Sequence, residues 1–227
     1  MTDTKVSLAR QSLKSPRAAA IAGILFAVLY GTSLVLIRIS VPADPATDTA
    51  AWLQTNIPMV SMALNLMPFA GIAFLWFVGV IRDRQGDMED RLFATVFLSS
   101  GLLFLAMTFV GSALSGGLLS SYAIAQRTMI ESGVFYYGRA VTFQILNIYA
   151  LRMAGLFMIS LGTIWLRTGV MHRVWAFVTY GLALVLLVSI SYSLWVPLIF
   201  PAWVLAVSIY ILILNFRNSS LAAQNEI

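Results

Sequence analysis

Four side chains with hydrogen-bonding or ionic chemistry lie inside otherwise apolar runs of this chain: Asn65, Gln144, Asn147 and Arg152. Arg152 has the widest chemical reach. A guanidinium donates two parallel bonds to a carboxylate or phosphate, and an ionisable group inside a membrane segment is a site hypothesis by default. On a straight helix each residue advances the face by 100°. With Gln144 at zero, Gly162 returns to zero, Gly155 falls at about 20°, Arg152 at about 80° and Asn147 at about −60°. The expectation is one polar, small-residue face turned into a bundle. Arg152, Gln144 and Asn147 would then bind an anionic or amphipathic solute. A structural alternative has Arg152 bonded to carbonyls or to Asn65 on a neighbouring helix. Asn65 precedes Pro68 in Leu64-Asn65-Leu66-Met67-Pro68, and Pro68 frees a carbonyl near Leu64. Asn65 would mend that kink, or the helix would break there and expose backbone to a ligand, as in transporters.

Other chemistry is excluded by what the sequence lacks. All nine carboxylates lie outside the apolar runs, which counts against a coupled transporter with an intramembrane acid. The single histidine, His172, rules out bis-histidine haem within one chain and a histidine zinc cluster. No H-E-x-x-H, G-x-S-x-G or phosphate-binding P-loop motif occurs. There is no cysteine, hence no disulfide and no thiolate metal site. Both lysines, Lys5 and Lys14, precede the first apolar run, so no buried lysine is available for retinal. No catalytic residue, metal ligand or cofactor is assigned. The charge of +5 belongs to residues flanking apolar runs, and does not form a nucleic-acid patch.

The elements that must position these residues are apolar. The chain has 227 residues, of which 60% are hydrophobic and 10% charged, and mean hydropathy is +0.89. A soluble domain carries about 25% charged residues. A membrane span needs about 20 apolar residues, and six such runs fit: 18–37, 60–81, 92–115, 140–166, 174–191 and 194–214. The last two share a charge-free stretch from Val174 to Leu214. As one helix it would measure about 61 Å, twice the hydrocarbon core, so a turn is expected at Ser191-Tyr192-Ser193. The fold class is an all-α, six-helix transmembrane bundle, a single domain over residues 1–227. Ten Lys and Arg fall on one side of the spans and three, Arg38, Arg127 and Arg139, on the other. The richer side is cytoplasmic, which puts both termini inside. The first run, at 20 residues, is longer than a signal h-region and reads as a retained span.

The connections read as structural. Asp48 would cap a short interfacial helix holding Trp52 and Leu53. The stretch from Arg82 to Arg91 carries four carboxylates without the spacing of a calcium loop. Asp87 there suits the start of the third helix. The connection from Gly116 to Arg139, 24 residues long, exceeds ordinary loop length and is expected to be helical. Ser99, Ser100, Gly101, Gly111, Ser112, Ser115 and Gly116 give the third span a small-residue face for close packing.

The stretch Ala63-Leu64-Asn65-Leu66-Met67-Pro68-Phe69-Ala70-Gly71-Ile72-Ala73-Phe74-Leu75-Trp76, followed by Arg82-Asp83-Arg84 and by Glu89-Asp90-Arg91-Leu92-Phe93-Ala94-Thr95-Val96-Phe97-Leu98, resembles an uncharacterised family of small multi-pass bacterial membrane proteins. The resemblance covers spans two and three. It implies a bacterial origin and six helices, and carries no catalytic residue. The expected setting is the bacterial cytoplasmic (inner) membrane. The expected partners are membrane lipid and a protein partner or a second copy, with no nucleic acid. The leading expectation is a non-enzymatic binding or accessory subunit. The alternative is a small transporter or channel for an anionic or amphipathic solute. A third class, an intramembrane lipid-acting enzyme, lacks a nucleophile–base pair to carry it.

Overall fold

In lipid a backbone must satisfy its own hydrogen bonds, which leaves helices as the form for isolated apolar runs. The computed structural model describes residues 16–41, 52–85, 91–169, 171–188 and 195–224. Their helices are α1 (Pro16–Ser40), α2 (Trp52–Gln85), α3 (Arg91–Glu131), α4 (Val134–Gln144), α5 (Leu151–Thr168), α6 (Arg173–Val188) and α7 (Ile199–Gln224). A π-helical segment, Ile145–Ala150, joins α4 to α5, and a 3-10 turn, Val196–Leu198, leads into α7. No strand occurs among the described residues. Five stretches are long and apolar enough to cross a membrane: Ala18–Ser40, Thr55–Arg82, Leu92–Glu131, Val134–Thr168 and Val196–Ile213. Helix α6 is apolar but shorter, at 16 residues. The outer surface is apolar as well, with Ile21, Phe69, Trp76, Leu92, Phe177 and Val188 exposed. Helices apolar on all sides belong in a core or in lipid, and the fold is that of a multi-pass membrane protein.

Aromatic rings hold the centre. Phe74 of α2 is fully buried. Its ring lies 4.9 Å from that of Phe26 on α1, 5.3 Å from Phe104 on α3, 5.4 Å from Phe157 on α5 and 5.8 Å from Phe200 on α7. Without a hydrophobic drive between helices in lipid, such packing is what joins them. Small residues let the helices close around it. A Cβ on Gly23 of α1 would run into Ser208 Oγ and the Phe77 ring. On α3, Gly101 receives Phe157 and Gly111 receives Leu146. Hydrogen bonds add direction: Ser33 Oγ donates to the Ala63 carbonyl at 2.6 Å, and Trp203 Nε1 donates to Thr179 Oγ1 at 2.9 Å.

Three expectations change. Trp52 opens no separate interfacial helix, because α2 runs unbroken from Trp52 through Pro58 and Pro68 to Gln85. A proline ring costs one bond and bends a helix, yet neither proline ends this one. Asn65 is exposed and makes no side-chain hydrogen bond among the described residues, so it does not mend the carbonyl that Pro68 frees near Leu64. The third span does not stop near Ser115. Helix α3 runs on past it, its 41 residues forming two helical arms joined by a kink at Ala125. It turns at Ser132-Gly133, where Gly133 has φ 74°, a conformation open to glycine. The long connection is thus helical on both arms. Asp48, Asp87 and the expected turn at Ser191-Tyr192-Ser193 lie outside the described residues.

Candidate functional site

A cavity of about 450 Å³ opens at the end of the bundle away from the 86–90 connection. Four walls build it, each from helix-spaced positions. Helix α1 contributes Tyr30, Leu34, Ile37, Arg38 and Val41; α2 contributes Val60, Leu64 and Met67; α3 contributes Ser115, Leu118 and Leu119. The fourth wall is α4 with the π segment: Phe135, Tyr136, Arg139, Thr142, Phe143, Gln144, Leu146 and Asn147. Pro197 closes a corner. Most of this surface is hydrocarbon. Its size falls in the range of small-molecule sites, which are apolar with a few placed polar groups.

Two guanidinium groups stand in that lining. The Cζ atom of Arg38 lies 5.6 Å from the centre of the Trp195 ring, a cation–π distance. Its Nε is buried and has no hydrogen-bond partner among the described residues. Nη1 of Arg139 is buried too. Thr142 Oγ1 is buried and has no hydrogen-bond partner among the described residues. Asn147 Nδ2 donates to the Phe143 carbonyl at 3.2 Å. No carboxylate or histidine stands among the described lining residues. The described carboxylate of the helical hairpin, Glu131, is paired with Arg127 at 2.6 Å on the exposed tip. The described lining thus offers two guanidinium groups, with Arg38 Nε and Thr142 Oγ1 buried and unpartnered among the described residues, and buried donors of this kind call for an acceptor. Among the described residues no group of three or more His, Cys, Asp or Glu could hold a metal ion.

The four residues singled out in the sequence are divided by the structure. Gln144 and Asn147 line the cavity. Arg152 is half-buried on the first turn of α5, outside the cavity, and makes no hydrogen bond to Asn65, which is exposed on α2. The single polar face does not form, for two reasons. Arg152 lies eight residues, about 12 Å, along the helix axis from Gln144, outside the cavity lining. An i→i+5 turn takes up one residue more than an α turn, and one residue is about 100° of phase, so the glycines beyond it are rotated away from Gln144. Gly155 and Gly162 meet α6 instead: a Cβ on Gly155 would lie 3.1 Å from the Ala183 carbonyl oxygen, and one on Gly162 would lie 3.4 Å from Thr179 Cγ2.

Arg38 and Arg139 are the residues that sequence reasoning counted only as topology markers. A signal for them existed. Both lie one or two residues from an apolar run, on the side that the Lys and Arg count leaves poor in positive charge. Comparison of the chain with protein-family models, with curated proteins and with solved structures gives no match in any of the three.

Proposed function

We propose that this chain crosses a bacterial cytoplasmic membrane six times, with both termini inside, and binds an anionic amphiphile in a pocket on its outer half. The observation that carries the reading is the pairing of Arg38 and Arg139 in one apolar cavity. A hydrocarbon chain suits the Leu, Ile, Val and Met walls, and a carboxylate or phosphate head suits two guanidinium groups. The role is binding rather than covalent chemistry, since the described polar lining residues offer donors to hold a head group and, among themselves, no acid–base pair to work on it. Six passes are supported by α6. Trp175 at its start lies 5.2 Å from Tyr210 on the far part of α7, while Trp195, just beyond its end, reaches Arg38. Its 16 residues cover about 24 Å of a core about 30 Å thick. Sidedness rests on the ten-to-three distribution of Lys and Arg, and bacterial origin on the resemblance over spans two and three.

The test is a titration of the protein, purified in nonionic detergent, with the fluorescent fatty acid cis-parinaric acid and with its methyl ester. The acid is expected to bind about tenfold tighter than the ester. Arg38→Gln should reduce the acid to the ester's affinity, and Ser115→Phe, which fills the cavity, should weaken both. Equal binding of acid and ester to the wild type would sink the anionic assignment. Binding that ignores Ser115→Phe would sink the pocket itself. A second reading, a carrier for the same class of solute, is favoured by the π segment in the pocket wall, since such turns are places where a helix can shift register. Uptake of a short-chain carboxylate by proteoliposomes would distinguish the carrier from a static binder.

A further inference from the structure

The exposed face of α2 carries an Asn in a stripe that is otherwise lipid-facing. Met62, Asn65, Phe69, Ile72 and Trp76 are all exposed, at steps of three, four, three and four residues. That is the spacing of a helix–helix seam. Apolar side chains on this face need no explanation in lipid. Asn65 does. It lies about 8 Å from the midpoint of the apolar run 60–81, at 1.5 Å per residue, and so inside a hydrocarbon half-thickness of about 15 Å. Its amide makes no hydrogen bond among the described residues, and hydrocarbon offers none. Amide side chains in membranes bond across helices.

We infer that this face of α2 is where a second copy of the chain docks, with the two Asn65 amides hydrogen-bonded to each other. The partner's identity follows from geometry and chemistry. Two copies inserted with the same orientation are related by an axis along the membrane normal, which brings like residues to the same depth. An amide holds donor and acceptor in one group, so it complements its own copy with no further polar residue. A different protein would have to place a polar group at that depth by separate design. The seam is independent of the pocket, which lies on the opposite side of α2 at Val60, Leu64 and Met67.

The chain has no cysteine, so single cysteines report cleanly. Met62→Cys, one turn from Asn65 on the seam, should oxidise in native membranes to a species of twice the chain mass. Leu103→Cys, exposed on α3, should not. Adding Asn65→Val to Met62→Cys should weaken the dimer by roughly threefold to thirtyfold, read as subunit exchange between proteoliposomes at graded protein-to-lipid ratios. No cross-link above the Leu103→Cys level would overturn the dimer. A product of some other mass would overturn the second copy as occupant. A dimer indifferent to Asn65→Val would overturn the amide pair as its cause. Asn65 is exposed in the monomer, so the substitution leaves the fold of each chain intact, and an unchanged melting temperature of dilute protein checks this.

Discussion

Adding one residue to the π segment tests how the pocket is phased. Take insertion of an alanine after Ile148. The π turn already takes up one residue more than an α turn, so a second extra residue turns everything before it by about 100° relative to everything after it. Side-chain tips lie about 5–6 Å from the helix axis. A rotation of that size moves a tip by about 8 Å. Helix α5 cannot absorb it, because Phe157 is fully buried and Gly155 sits against the Ala183 carbonyl. Helix α4 is held more lightly, by Phe135 against Tyr122 at 5.8 Å and by Gly138 against Leu118. So α4 gives way, and Gln144 and Asn147 leave the pocket. Losing the hydrogen bonds of two amides at about 0.5–1.5 kcal/mol each weakens binding by about tenfold. The assay is the parinaric acid titration, beside Ile148→Ala, which keeps the residue count and should bind as the wild type does. An insertion variant with wild-type affinity and wild-type melting temperature would refute the claim that the π turn sets the phase of this wall.

Two further outcomes follow from the packing and the topology. Phe74→Ala empties the centre of the ring cluster and should cost about 3–5 kcal/mol, a fall in melting temperature of roughly 6–20 °C, whereas Phe69→Ala on the same helix, 62% exposed, should stay within about 2 °C; equal shifts by differential scanning fluorimetry would count against the ring core. His172→Cys and Ser193→Cys should react with a membrane-impermeant maleimide from opposite faces of the membrane, and labelling from the same face would show that α6 does not cross.

Much of the scaffold was legible because hydropathy is a dense signal. A run such as Ala18 to Ile37 admits little besides a helix. The helical character of the connection after Gly116 was legible from its length alone. The site was harder, for two physical reasons. The first is the π segment Ile145–Ala150, whose sequence Ile-Leu-Asn-Ile-Tyr-Ala carries no proline or glycine to announce it. The i→i+5 segment lies between α4, which packs on α3, and α5, which packs on both α3 and α6. Angular arithmetic that assumes 100° throughout therefore joins Gln144 to Gly155, which the molecule separates. The second is that a flanking arginine has the same sequence signature whether it snorkels to a head group or turns into a cavity. Arg38 and Arg139 differ from Arg127 only in what surrounds them. Arg127 sits on the exposed tip with Glu131, and no pattern within a helix encodes that difference.

The two halves of the molecule are built on opposite terms. Toward the 86–90 connection, Phe26, Phe74, Phe97, Phe104, Phe157 and Phe200 are buried to 1% exposure or less, and every ring has ring neighbours. At the other end Arg38 Nε and Thr142 Oγ1, both in the cavity wall, and Ser40 Oγ are buried without partners among the described residues, as Ser208 Oγ is beside Gly23 in the aromatic half. Each such atom costs about 1–3 kcal/mol, and apolar replacements of similar shape would remove that cost. A bundle selected for stability alone would extend the aromatic packing to both ends. On the proposed function, the unpartnered donors in the cavity wall are satisfied when the head group of the bound amphiphile supplies an acceptor. The rigid aromatic half makes this possible. It fixes α1, α2, α3 and α5 firmly enough that the pocket walls can stay apart, and it leaves the lightly held α4 with its π turn as the wall free to adjust to what binds.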